Sequence, residues 1–174
     1  MPNPAMTRPD PSEHAPYYGK YIQLVPEDDI VQVMAIQIDE TLGYLRALPD
    51  SAGDKRYAPD KWTIKEVVGH LSDSERVFAQ RALFFARAIP IPLPSFEQDD
   101  WMRAAPFRIQ RLEDLTAEFE LVRRSNLCFF RQLNDEAWLR RGIASGCEFT
   151  VRSLAYILVG HERHHLEILK TRYN

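Results

Sequence analysis

His161 and His165 stand four residues apart in the run Gly160-His161-Glu162-Arg163-His164-His165. In an α-helix, residues at that spacing stack on one face, so both imidazoles can reach a single ion. A third imidazole is available at His70, in the apolar-periodic stretch 64–86. Three neutral imidazoles from two packed helices would leave a divalent ion with open positions for water or substrate, which is how a catalytic site differs from a closed structural one. A lone histidine at the edge of a core is an ordinary polar residue, and only the pair with a third partner raises the case for a metal. Spacing leaves one ambiguity. Leu154, Leu158, His161, His165 and Ile168 form one helical seam, and Leu154, Ile157, His161, His164 and Ile168 form another. Either His164 or His165 can therefore be the second ligand of the pair, and the other a supporting group or proton carrier.

The same run matches H-E-x-x-H, the signature of zinc peptidases. Those enzymes take their third ligand from further along the chain, and only nine residues follow His165. A di-iron carboxylate site needs Glu-x-x-His on each of two helices. Glu162 to His165 supplies one such motif, but Glu66 precedes His70 by four residues rather than three, so the second is missing.

Four segments have the helical periodicity to position these residues, and no hairpin signal or alternating run argues for a sheet. The first spans about Pro26 to Leu48, with the stripe Val31, Met34, Ile38, Leu42 and Leu45, and Pro49 ends it. The second begins at Ile64, where Thr63 and Glu66 form a capping box and Trp62 and Val67 a hydrophobic staple, and runs to about Ala88. Pro90, Pro92 and Pro94 forbid its continuation. The third covers about Leu112 to Leu133, with Leu115, Phe119, Val122, Phe129, Phe130 and Leu133 facing inward. The fourth is capped by Thr150 and reaches about Thr171. Four such helices specify an all-α, four-helix bundle. The long Pro-rich connection 89–111, between the second and third helices, is of a size that is usually functional or holds a short extra helix.

The 174 residues make one bundle domain over 26–174, preceded by a Pro-rich extension over 1–25. Net charge is −3 with no basic run, which excludes nucleic-acid binding driven by phosphate neutralisation. The N-terminal stretch lacks the apolar core of a signal peptide, and no segment approaches about 18 apolar residues, so the protein is expected to be cytoplasmic and independent of membranes. Cys128 and Cys147 lack metal or disulfide spacing; Cys128 is expected to be a core thiol and Cys147 a more reactive loop thiol.

Gln37 and Thr41 beside the first stripe, and Asn126 on the third, are candidates to line a substrate pocket or to hydrogen-bond in the core. Asp73 and Glu162 are candidates to orient the imidazoles, although a solvated helix face explains each as well. Trp101 and Phe96 in the Pro-rich connection can cap the pocket.

Taken together, Trp62-Thr63-Ile64-Lys65-Glu66-Val67-Val68-Gly69-His70-Leu71, then Asp73 and Glu75, and the C-terminal Gly160 to Leu169 resemble the DinB-like superfamily of metal-binding four-helix bundles. The resemblance covers about residues 26–172. It implies an up-down-down-up bundle, a homodimer, and one nickel or zinc ion per chain held by one histidine of the second helix and two of the last. Carried over to this chain, those are His70, His161 and His165, which resolves the ambiguity against His164. It further implies a small-molecule substrate and, in some members, transfer of a low-molecular-weight thiol; others have no known activity.

Overall fold

A computed structural model describes residues 7–173. In chain order the helices are α1 (Gly19–Ile22), α2 (Ile30–Ala47), α3 (Ile64–Ala86), α4 (Gln98–Ala104), α5 (Leu112–Phe130), α6 (Asp135–Leu139) and α7 (Val151–Arg172), and a hairpin of β1 (Arg141–Ala144) and β2 (Cys147–Thr150) precedes α7. The four expected helices are α2, α3, α5 and α7.

Their ends follow from local chemistry. At α3 the Thr63 side chain accepts from the Glu66 amide at 3.1 Å, while the Thr63 amide donates to Glu66 Oε2 at 2.7 Å. Thr150 and Ser153 form the same reciprocal pair at the start of α7. Each box satisfies two amides that the first helical turn leaves without partners. α2 starts later than expected. Asp29, not Pro26, caps it by accepting from the Gln32 amide at 3.0 Å, and the carbonyls of Glu27 and Asp28 are held outside the helix by the Tyr156 hydroxyl. At its other end Leu48 is extended (φ −81°, ψ 135°), as the residue before a proline prefers to be.

α3 packs chiefly on α7 and α5, and α2 on α5 and α7, so α2 and α3 lie across the bundle from each other although they are consecutive. Directions follow from the pairings. Gln37 meets Glu162 and Tyr44 meets Leu169, so α2 and α7 are parallel. Val67 and Leu71 near the start of α3 pack in one cluster with Leu112, Leu115 and Phe119, and Phe78 and Phe85 further along it pack in another with Leu127 and Phe130, so α3 and α5 are parallel too. Arg46 with Glu120 and Arg124 with Asp39 run α2 against α5. The bundle is therefore up-down-down-up.

Two apolar clusters fill it. One gathers Met34, Phe78, Phe85, Leu127, Phe130, Phe149 and Leu154; the other gathers Leu42, Val67, Leu71, Leu115, Phe119 and Leu169. Between them on the helices lies a polar layer, with Gln37, Glu75, Arg123 and Glu162 all buried. The stripe of α5 is rotated from the expected one. Arg123 and Leu127 are buried, whereas Val122 and Phe129 are half-buried at the edge. Arg123 was not part of the expected apolar stripe, and its burial depends on carboxylate partners that lie on other helices, Glu75 and Glu162.

Residues 1–6 of the N-terminal extension lie outside the described residues, and the rest of it packs on the bundle. Glu13 is buried, accepts from Thr150 Oγ1 at 2.8 Å and pairs with Arg152. Ile22 and Val25 share the first apolar cluster with Ile30. The connection 89–111 does hold a short helix, α4. The hairpin was not expected: Ser145 (φ 52°) and Gly146 (φ 72°) adopt the left-handed pair that closes a two-residue turn. Its strands are too short for alternation to be visible, and it is steadied by Leu93, whose amide donates to Ile143 O at 2.9 Å and whose carbonyl accepts from the Ser145 amide at 3.1 Å. Both cysteines are exposed, so Cys128 is not a core thiol, and Cys147 sits in β2 rather than a loop. Among the described residues no helix is long and apolar enough to cross a membrane.

Candidate metal centre

His70 lies in the second turn of α3, on the face turned to α7, where His161 and His165 sit one turn apart. A glycine precedes the first histidine on each helix. A Cβ at Gly69 would meet the Phe107 ring at 2.5 Å, and one at Gly160 would meet the Tyr21 carbonyl oxygen at 2.0 Å. Those two gaps let flanking segments press onto the helices directly beside the imidazoles. Tyr21 then stands edge-on to His161, with ring centroids 5.3 Å apart, and Trp62 packs on His70 at 4.8 Å.

The three imidazoles converge through the same nitrogen. His161 Nε2 is 3.1 Å from His70 Nε2 and 3.1 Å from His165 Nε2, and ligand nitrogens from all three lie within 4.8 Å of one another. One nitrogen carries either one proton or one lone pair, so His161 Nε2 cannot satisfy both neighbours by hydrogen bonding in the same sense. A shared cation resolves the conflict. With metal–nitrogen bonds of about 2.1 Å, ligand nitrogens sit about 3.0 Å apart at right angles and about 3.4 Å apart at tetrahedral angles. The 3.1 Å contacts fall in that range, so these residues fit a divalent ion. Burial adds to the fit, because it lowers the pKa of His70 to about 4 and holds those of His161 and His165 well below the usual imidazole value. Desolvation is the leading cause in all three, and it keeps the rings in the neutral form that a metal requires.

Two clefts reach the cluster. A cleft of about 550 Å³ is floored by His70, His161 and Ser74 and walled by Tyr21, Phe78 and Phe96. A second, of about 370 Å³, opens on His165 between Trp62 and Tyr173. Gln98 and Asp99, in the first turn of α4, line both.

The other expected residues are placed differently. His164 is half-buried and faces Tyr21 at 5.5 Å, outside the cluster. Glu162 turns away from the imidazoles into the polar layer, where it accepts from Thr41 Oγ1 at 2.6 Å and from Gln37 Nε2 and lies 2.7 Å from Arg123 Nη1. Gln37 and Thr41 are thus core partners of Glu162 and line neither cleft. Asn126 donates to Glu75 Oε1 at 3.2 Å on the far side of α3. Asp73 is half-buried beside Arg76, at 3.7 Å, and burial raises its pKa. Trp101 is 45% exposed and reaches the site only through Phe96, which it meets edge-on at 4.7 Å and which in turn stacks over His70.

Three residues of the site were not expected there. Ser74 is four residues after His70 and so on the same helix face, a signal that was available. Tyr21 comes from a segment read as an extension, and Trp62 was read only as a staple.

Among solved structures, the chain is similar to YfiT from Bacillus subtilis, described as a probable metal-dependent hydrolase with an unusual four-helix bundle topology. The TM-score is 0.66 at 20% identity, covering 93% of this chain and 91% of that one, which is a likeness of fold. No curated protein matches. The sequence model of the DinB superfamily matches residues 35–169, a span that holds all three histidines and all four long helices but for the ends of α2 and α7, and the chain belongs to that superfamily.

Proposed function

We propose that the protein binds one divalent metal ion per chain, nickel or zinc, through the Nε2 atoms of His70, His161 and His165, and that it is an enzyme acting on a small molecule. The observation that carries this reading is the convergence of three imidazoles, two buried and one half-buried, on one point beside an open cleft. A non-catalytic binding bundle has no need of the cleft. When bound, such an ion supplies Lewis acidity and lowers the pKa of a thiol or a water, giving a nucleophile near neutral pH.

The chain's own residues provide the rest. Trp62, Tyr21 and Phe96 hold the imidazole rings in orientation and narrow the access of bulk water. Two clefts divided by Gln98 and Asp99 suit a reaction between two small molecules, which supports transfer of a low-molecular-weight thiol. Hydrolysis is the second reading, favoured by the likeness of fold to a probable metal-dependent hydrolase. We further place the protein in the cytoplasm and expect a homodimer, formed through the exposed apolar groove that Leu83, Leu121, Val122 and Phe129 make between α3 and α5.

Elemental analysis of untagged protein tests the centre. About one nickel or zinc per chain, lost in His161→Ala while the helical circular dichroism persists, is the expected result. Full metal occupancy in the variant would rule this ligand set out. With the metal established, a screen of small thiols and acyl or alkyl acceptors separates transfer from hydrolysis.

A further inference from the structure

Ser74 is 1% exposed, yet it forms part of the floor of the larger cleft. It follows His70 by one turn of α3, and its hydroxyl lies 3.4 Å from His70 Nε2. His70 Nε2 is the hydroxyl's hydrogen-bond partner among the described residues, whereas the equally buried Ser72 on the same helix bonds back to the Val68 carbonyl. The histidine nitrogen has a single lone pair, and a metal ion claims it. With His70 so engaged, the Ser74 hydroxyl would be left inside the protein without that partner, and a buried polar group left unpaired is destabilising. Ser74 lines the cleft, so a ligand atom that enters there is placed to take up its hydroxyl.

Its position says what. At 3.4 Å from one ligand nitrogen, the hydroxyl oxygen is about as far from His70 Nε2 as neighbouring ligands are from each other around a common ion. It therefore borders the cleft side of the cluster, next to whatever atom approaches from there, and it does not border the second cleft at His165.

We infer that Ser74 is a substrate-positioning residue: its hydroxyl donates a hydrogen bond to the anionic or lone-pair-bearing atom of the ligand that binds beside His70 and His161 in the larger cleft. This rests on the proposed metal centre. It adds that the reacting ligand enters from the Phe96 side rather than the Tyr173 side, and that the preferred ligand atom is an acceptor, such as a thiolate, a carboxylate oxygen or azide nitrogen.

Azide titration of cobalt(II)-loaded protein, followed by visible absorption, tests it without relying on turnover. Wild type, Ser74→Ala and Ser72→Ala are compared, with cobalt affinity measured separately for each. The expected result is equal cobalt affinity in all three, azide binding weakened about tenfold in Ser74→Ala, the worth of one hydrogen bond to a charged acceptor, and unchanged in Ser72→Ala. Unchanged azide binding in Ser74→Ala overturns the inference. So does an equal loss in Ser72→Ala, which would mark a general effect on α3, and so does loss of cobalt from Ser74→Ala, which would make the serine a support for His70. Wild type that takes up no cobalt fails the metal centre itself, and the role of Ser74 with it.

Discussion

His161 and Glu162 are consecutive on α7 and serve different faces of it: the imidazole meets His70, and the carboxylate lies 2.7 Å from Arg123 Nη1 in the polar layer. Arg123 also makes a two-pronged pair with Glu75, Nε to Oε1 at 2.6 Å and Nη2 to Oε2 at 3.0 Å. Glu75 is five residues beyond His70 on α3, so one guanidinium from α5 ties together the two helices that carry the cluster. Burial alone would lower the Arg123 pKa, but the carboxylates of Glu162 and Glu75 more than offset it and raise the value, so the group is a fixed cation. Arg123→Met would strand two buried carboxylates. Removing one partner from a buried pair typically costs about 3 to 5 kcal/mol, and urea denaturation of metal-free protein should show a loss of that size. Arg123→Lys, which cannot reproduce the fork, should recover only part of it.

Gly160→Ala should loosen the N-terminal segment. The added Cβ would fall 2.0 Å from the Tyr21 carbonyl oxygen and 2.5 Å from its carbon, both backbone atoms that cannot rotate aside. α1 must then lift from α7 and carry Tyr21 away from His161. Overpacking of this kind costs about 1 to 3 kcal/mol. Limited proteolysis should cut within residues 15–27 of the variant much faster than in wild type, with the bundle itself left intact.

The helices were legible because their signals are local: the box of Thr63 and Glu66, the prolines at 49 and 90, and the apolar stripes of α2 and α7 all act within a few residues. The i, i+4 pair made His161 and His165 legible in the same way, with the resemblance deciding against His164. What was hidden depends on distant partners. Glu162 was read as orienting the imidazoles or facing solvent, and Gln37 and Thr41 as pocket or core groups, because nothing in the sequence shows that Glu162 turns toward Arg123 in the core and takes Gln37 and Thr41 as partners. Val122 was read as inward in place of Arg123 for the same reason. Tyr21 was missed because a proline-rich segment gives no periodicity from which to infer docking, and the one hint, Gly160, has meaning only once α1 is laid against it.

The proposed homodimer makes a prediction about a surface outside the cluster. Leu121 is 70% exposed and Leu83 41%, on neighbouring helices, with Val122 and Phe129 between them. Light scattering coupled to size exclusion should give twice the chain mass for wild type. Leu121→Arg should shift it to the monomer, because burying a charge in an apolar interface without a partner is prohibitive. Metal content should not change, since the groove lies away from α7. A monomeric wild type would refute the dimer.

Metal-free protein should lose stability as the pH falls below that of ordinary imidazole titration. His70 has its pKa lowered by burial from 6.5 to about 4, and His161 and His165 are shifted the same way. The unfolded chain therefore takes up protons that the native state refuses. Stability is complete above about pH 6.5, declines as the pH drops through the window between 6.5 and 4, and levels off below the native pKa. For His70 alone the loss across that window is on the order of 3 kcal/mol. Urea midpoints of the metal-free protein measured from pH 7.5 to pH 4.5 should fall steadily, and His70→Gln, which has no proton to take up, should show a shallower slope. Nickel or zinc at saturating concentration should shift the decline to lower pH, because protons must then displace the ion before they reach the imidazoles. A pH profile identical in wild type and His70→Gln would mean that His70 is accessible to protons in the native state, and the buried cluster would have to be abandoned.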